Sequence, residues 1–183
     1  MRSAITAVSC TLALACLTAC DGLVLTDVLH QDGGDQVNAQ CPAGSYMVGF
    51  SGSLRPNEWM TRLDMACAAW NGSSFGSSTS SNAFGPGGGG GYSTGGCPAS
   101  SAVYSVVVSI HAPNGNVRRL DATCWNQFEV ADAYYTVGIA PPAPSGLTLG
   151  SVACPTTHRA VGIRGRVNAD GVDGFGLLCR AKP

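Results

Sequence analysis

Cys154-Pro155, then Val161-Gly162-Ile163-Arg164-Gly165 seven residues after the cysteine, then Val172-Asp173 before a closing Cys179: this phrase is written three times in the chain. It opens again at Cys41-Pro42, with Val48-Gly49-Phe50-Ser51-Gly52 at the same offset and Arg62-Leu63-Asp64 leading into Cys67. The middle copy starts at Cys97-Pro98, carries Tyr104 and Val106 at the matching apolar offsets, and runs through Arg119-Leu120-Asp121 to Cys124. Opening-to-closing separations are 26, 27 and 25 residues, and the opening cysteines recur at intervals of 56 and 57. A fixed period with one unit per copy is the mark of a repeat architecture. Three copies are too few for a long solenoid and enough to close a threefold-symmetric domain.

Inside each copy the pattern is that of strands. Ala102 to Ile110 is rich in β-branched residues and puts Tyr104, Val106, Val108 and Ile110 on one face. Asn114-Gly115 marks a tight turn, and Val117 to Cys124 is the return strand. Asp170-Gly171 plays the same part in the last copy and Arg55-Pro56-Asn57 in the first. A glycine-bearing segment precedes each opening cysteine (Gly33-Gly34, Gly85 to Tyr92, Gly146 to Gly150) and is expected to be the unit's first strand. The units then span about 30–70, 84–127 and 144–180, each expected to be an antiparallel sheet of three or four short strands. No stretch beyond the leader keeps a helical period over three turns, so the class is all-β.

The first residues belong to export. Arg2 opens a short basic region, and the apolar run from about Ala4 to Leu17 suits a signal peptide and is too short to span a membrane as a helix. It ends in Leu17-Thr18-Ala19-Cys20, which resembles the bacterial lipobox, whose cysteine becomes the acylated first residue. Residues 1–19 are therefore expected to be removed. Residues 20–29 form a lipid-anchored N-terminal segment, and 30–183 form one domain displayed in the periplasm or at the cell surface. Plain secretion is the alternative. The mature chain has 164 residues, with nine Lys+Arg against eleven Asp+Glu. That is long enough for a sizeable core. Near-neutral charge argues against nucleic acid, which calls for a basic stripe. Membrane contact is expected through the anchor alone.

With Cys20 set aside, six cysteines remain, an even number in an exported chain, and they read as a disulfide framework. Because each copy owns one opener and one closer, the repeat favours Cys41–Cys67, Cys97–Cys124 and Cys154–Cys179. The cyclic alternative joins Cys67 to Cys97, Cys124 to Cys154, and Cys179 to Cys41. No close Cys-x-x-Cys pair suggests zinc. No cofactor and no metal site are expected.

Between units, Asn71 to Ala83 is a Gly/Ser/Thr-rich run expected to be a flexible exposed loop. Asn126 to Ala143 holds Phe128, Tyr134 and Tyr135 before a proline-rich tail, and either adds a strand or folds over one face. Gly72-Ser73-Ser74-Phe75-Gly76 matches a nucleophile-elbow pattern by chance, since no strand–turn–helix surrounds it. Gly87 to Gly91 lacks the Lys-Ser/Thr and the helix of a phosphate cradle. His30, His111 and His158 are scattered and lack metal spacing.

The three Cys-Pro openings, above all Cys41-Pro42-Ala43-Gly44-Ser45-Tyr46-Met47-Val48-Gly49-Phe50, resemble those of the vitelline membrane outer layer protein I family. The similarity covers about residues 30–180. That family's fold is a β-prism, three sheets about a pseudo-threefold axis, similar in architecture to jacalin-type lectins. The resemblance implies a disulfide-stapled β-prism of three antiparallel sheets, extracellular, associating with glycans, with oligosaccharide transfer as a further implied activity. Family units carry a tryptophan before the opening cysteine, which is absent here, and an acidic loop that only Asp170-Gly171-Val172-Asp173 resembles.

The expected function is therefore lectin-like binding of glycans or cell-envelope polysaccharide. Sugar binding needs aromatic platforms beside polar groups. Trp59 beside Glu58 at a hairpin tip, Tyr134, Tyr135, Asp170 and Asp173 are the ligand-binding candidates. Trp70 and Trp125, each just after a closing cysteine, suit core packing equally well. An enzymatic alternative would use Asp64, Asp121 and Asp173 as paired carboxylates at one end of the prism, because such pairs drive glycosidic acid–base chemistry. Pairing of these residues with Arg62, Arg119 and Arg166 is the structural alternative. A third possibility is a structural or protein-binding surface lipoprotein.

Overall fold

The computed structural model describes residues 22–30, 33–55, 59–88, 90–111, 115–128, 130–138 and 147–183. The leader, Cys20, Pro56-Asn57-Glu58, Asn114 and the proline-rich tail at Pro141, Pro142 and Pro144 lie outside them. Twelve strands run in chain order: β1 Val24–Leu25, β2 Asp35–Gln40, β3 Ser45–Leu54, β4 Met60–Ala69, β5 Thr79–Phe84, β6 Gly91–Gly96, β7 Ser101–His111, β8 Val117–Asn126, β9 Ala131–Gly138, β10 Leu147–Ala153, β11 His158–Val167 and β12 Val172–Ala181. They form three four-stranded antiparallel sheets, β1-β12-β11-β2, β10-β7-β8-β9 and β5-β4-β3-β6.

Each repeat contributes a central hairpin, β3–β4, β7–β8 or β11–β12, as the spacing predicts. Repeat and sheet nevertheless do not coincide. The first strand of every unit leaves its own hairpin and pairs with a neighbour's opening strand: β6 on β3, β10 on β7, and β2 on β11. The exchange corrects the expectation of one sheet per unit. It also gives the disulfides their role. The pairs are Cys41–Cys67, Cys97–Cys124 and Cys154–Cys179, within repeats. Because each opener follows an exchanged strand, each bond ties one sheet to the next.

The repeated phrase now has a physical reading. The residue seven places after each opener, Val48, Tyr104 or Val161, is an extra residue in its strand, at a register shift. Such a bulge bends the strand and frees a carbonyl from the ladder. That carbonyl accepts the N–H of the next sheet's opening cysteine: Cys97 to Val48, Cys154 to Tyr104, and Cys41 to Val161. Pro42, Pro98 and Pro155 each begin a tight turn, closed by the N–H of Ser45, Ser101 and His158. Gly49 and Gly162 follow two of the bulges because the exchanged strand passes there; a Cβ on Gly49 would lie 2.6 Å from the Gly95 carbonyl.

The fourth strand of each sheet was the least legible. Asn71 to Ala83, expected as a flexible loop, ends in β5, which pairs with β4 from Leu63↔Phe84 to Cys67↔Thr79. A backbone ladder needs few apolar side chains, and buried Phe84 anchors this one. The loop before it is braced by Asn71, whose Oδ1 accepts the N–H groups of Ser73 and Ser74. The second connector does add a strand, β9 on β8. The third sheet takes its fourth strand from the N-terminus, with Val24 opposite Cys179 and Leu29 bridged to Phe175. The sheet thus reaches back into the N-terminal segment 20–29, ahead of the domain start expected at residue 30.

The core fills the space between the three sheets. Phe50, Met65 and Leu63 face Val106, Val108 and Leu120 and Ile163, Phe175 and Leu177, all essentially inaccessible to water. Phe50 meets Phe175 edge to face at 5.9 Å and Tyr135 at 6.3 Å, one aromatic from each sheet. Tyr135 therefore faces inward from β9, and its hydroxyl is enclosed with no hydrogen-bond partner among the described residues. Burial pushes its phenol well above the usual value of 10.0, because the charged form would be desolvated. The stability tied to its neutral form is complete below the unfolded value and is lost as pH rises toward the folded one. Tyr135→Phe is expected to stabilise the fold by about 1 kcal/mol in urea unfolding at pH 7, and to weaken the alkaline loss of stability.

Candidate functional site

The three hairpin tips lie together at one end of the prism, and the chain entering β2 joins them there. Asp173, at the start of β12, is 2% exposed, and its Oδ1 lies 3.2 Å from His30 Nδ1. Its Oδ2 faces Gly33, where a Cβ would sit 2.8 Å away, so only glycine lets the backbone come so close. His30 itself has φ of 62°, uncommon for a residue with a side chain. Its ring covers Gly115 of the β7–β8 tip so tightly that a Cβ there would overlap it.

Two amides bind the tips to one another. Asn168 Oδ1 accepts the N–H groups of Asp170 and Gly171, shaping the β11–β12 turn, and its Nδ2 donates to Asn116 Oδ1 at 3.0 Å. Arg166 donates to the Gly34 carbonyl at 3.0 Å. From the third tip, the Trp59 indole N–H donates to the Asp170 carbonyl at 3.0 Å, while the Arg55 guanidinium lies over the indole ring, 5.3 Å from its centre. The result is a firm polar floor bordered by exposed Gly34, Asp170 and Arg55 and by half-buried Trp59. Such a surface can offer hydroxyl groups both acceptors and donors, beside one flat apolar ring.

Of the ligand-binding candidates, Trp59, Asp170 and Asp173 are brought together here, and Glu58 lies outside the described residues. Tyr134 stands on the outer face of β9, 75% exposed and remote from the tips, and Tyr135 is a packing residue. His30, Gly33, Asn116 and Asn168 were not singled out for the site. The paired glycines before β2 and the Asn-rich turns are the signals that mark them.

The three carboxylates of the enzymatic alternative are not symmetry mates. Asp64 and Asp121 lie three residues before their closing cysteines, where the third copy has Gly176. Asp173 instead matches Thr61 and Arg118, six residues before theirs. Leu63 and Met65 point inward, so Asp64 faces out of one sheet; Leu120 and Ala122 likewise turn Asp121 out of another. Each is held by an arginine. Arg62 reaches Asp64 at 3.0 Å, which raises the guanidinium pKa, and Arg119 reaches Asp121 at 2.7 Å with Thr136 alongside. Asp173 has His30 rather than Arg166. Trp125 stacks on Tyr104 at 3.7 Å under buried Arg159, and Trp70 packs edge to face on Phe75, both at the end opposite the tips. No group of three or more metal-ligating side chains occurs among the described residues. A concavity of about 470 Å³ on the outer face of β5-β4-β3-β6 is lined by small residues with Val48, Phe75 and Pro98, and brings no charged group to bear.

No protein-family model matches the chain, and no curated protein sequence matches it. Solved structures do match. A prostate-specific WGA16 glycoprotein lectin superposes with a TM-score of 0.62 at 13% identity, over 86% of this chain and 100% of that one. Calystegia sepium agglutinin gives 0.60 at 17% identity, over 87% and 99%. A single-chain recombinant jacalin gives 0.59 at 14% identity, over 90% and 98%. The fold is a β-prism. At these identities the likeness shows the architecture, which is the one that the repeat openings imply.

Gly115→Ala tests how tightly the site is built. The substituted chain must expel the His30 ring and accept φ of +70° with a side chain. A loss of about 1–3 kcal/mol, with faster hydrogen exchange at Leu29 and Phe175, is the expected result.

Proposed function

We infer that this protein is a lipid-anchored, extracytoplasmic module that binds glycans of the cell envelope through its hairpin-tip end. The observation that carries it is the convergence of Asp173, Gly33-Gly34, Asn168 and Trp59 from different sheets into one polar, pre-organised surface with an aromatic edge. Binding sites of this kind combine a few fixed polar groups with an apolar ring, and rigid backbone lowers the cost of ordering on binding. The lectin descriptions of the structural neighbours support the same function. One of them, a Calsepa lectin, was solved with a biantennary N-glycan. The Cys-Pro openings similar to vitelline membrane outer layer protein I point the same way, and the lipobox-like Leu17-Thr18-Ala19-Cys20 supports the anchor.

A glycan array probed with the acylated chain tests this. Trp59→Ala and Asp170→Asn are each expected to weaken binding about tenfold or more, whereas Asp64→Asn and Asp121→Asn, on the outer sheet faces, leave it unchanged. Binding by none of the arrayed glycans, with the fold intact by circular dichroism, would sink the proposal in favour of a structural or protein-binding role.

A further inference from the structure

The end of the prism opposite the tips differs in character. There the strands Ser45, Ser101 and His158 begin and the strands ending at Ala69, Asn126 and Ala181 finish. Leu23 packs into a second apolar cluster at this end, with Tyr46, Phe75, Ala102 and Leu178. The β8–β9 turn beside it is held open: Asn126 Oδ1 accepts the N–H groups of Phe128 and Val130. This bracing presents Phe128 74% exposed and Val130 56% exposed. Lys182 lies beside them, its ammonium donating to the Gln127 carbonyl. Trp70 and Trp125 border the same shallow groove.

We propose that this end is a membrane-facing surface, with Phe128 and Val130 seated in the interfacial layer of a phospholipid bilayer and the tips directed away from it. The proposal rests on the anchoring at Cys20 given above. Its geometric basis is reach. Cys20 stands two residues before Gly22, so whatever those residues do, the tether spans at most roughly 7 Å. Strands of ten residues, such as β3, make the prism roughly 30 Å tall. A bilayer holding the acyl chains therefore meets the Leu23 end first, and the tips reach it only if the prism lies on its side. An exposed phenylalanine and valine beside a lysine suit the boundary between headgroups and acyl chains. Seating them adds a second attachment to the acyl chains and fixes an orientation that a single point of attachment would not. The glycan-binding end then projects outward, free for a large ligand.

The full chain, made in a bacterium that acylates lipoproteins and reconstituted in phosphatidylcholine vesicles carrying brominated acyl chains, gives the test. A fluorophore is attached through Phe128→Cys at the braced turn, or through Ala169→Cys at the β11–β12 tip. Quenching by the brominated lipid is expected to be at least about threefold stronger at 128 than at 169. Equal quenching at both sites, or none at 128, on a chain whose Cys20 is acylated by mass spectrometry, overturns the orientation alone. An unmodified N-terminal peptide overturns the anchor and the orientation with it. Glycan binding is measured independently and stands or falls by its own array.

Discussion

Replacing Cys154 and Cys179 together by alanine is expected to lower the stability of this protein by about 3.5 kcal/mol, the chain-entropy value for a loop of this length. The bond closes 25 residues. It also joins β10 of one sheet to β12 of another, so its loss is felt at a sheet junction rather than within a hairpin. Urea unfolding of the double variant checks the magnitude. Hydrogen exchange checks the place: Val152, Cys154 and Leu178 should lose protection before Val106 or Leu120. A loss below about 1 kcal/mol would mean that the exchanged strands alone hold the sheets together, and the stapling account would fail.

Phe175→Ala is the second large effect. The ring is completely buried and packs on Phe50 from the adjoining sheet, while the Phe175 backbone pairs with Leu29. Truncation removes its contacts and leaves a cavity near the prism axis, for a loss of about 3–5 kcal/mol. Phe128→Ala, the same chemical change at a 74% exposed site, is expected to alter stability by less than about 0.5 kcal/mol. Comparable losses at the two positions in thermal or urea unfolding would contradict the placement of the core.

Much of the fold was legible because β structure writes itself with a period of two. Val106, Val108 and Ile110 and the returning Leu120, Ala122 and Cys124 keep that period, and the Asn-Gly and Asp-Gly signals mark where they turn. Tyr104, expected to continue the same face, is instead the extra residue of a bulge, where the period breaks. The edge strands were not legible. Thr79 to Phe84 is a serine-rich stretch with one buried aromatic, and its order comes from β4 lying beside it. Likewise Val24–Leu25 is a strand only because the last hairpin leaves an edge there for it to cover. For the site, hairpin-tip geometry made Trp59, Asp170 and Asp173 candidates, but Tyr134 and Tyr135 show the limit. Adjacent residues on one strand point to opposite faces, so the pair was bound to be split between solvent and core.

By itself, then, the chain's wording pointed to three hairpins and their approximate boundaries, and it favoured pairing the six cysteines within repeats over the cyclic alternative, since these depend on local spacing and on loop closure within one unit. The structure made the choice between the two pairings. Tertiary structure alone decided that each unit lends its first strand to a neighbour, and that His30, over a hundred residues away in sequence, meets Asp173. Local pattern constrains which residues form a strand and which face they show. The choice of partner is made by backbone groups that are alike at every position, so it is settled only when the three sheets close around a common core.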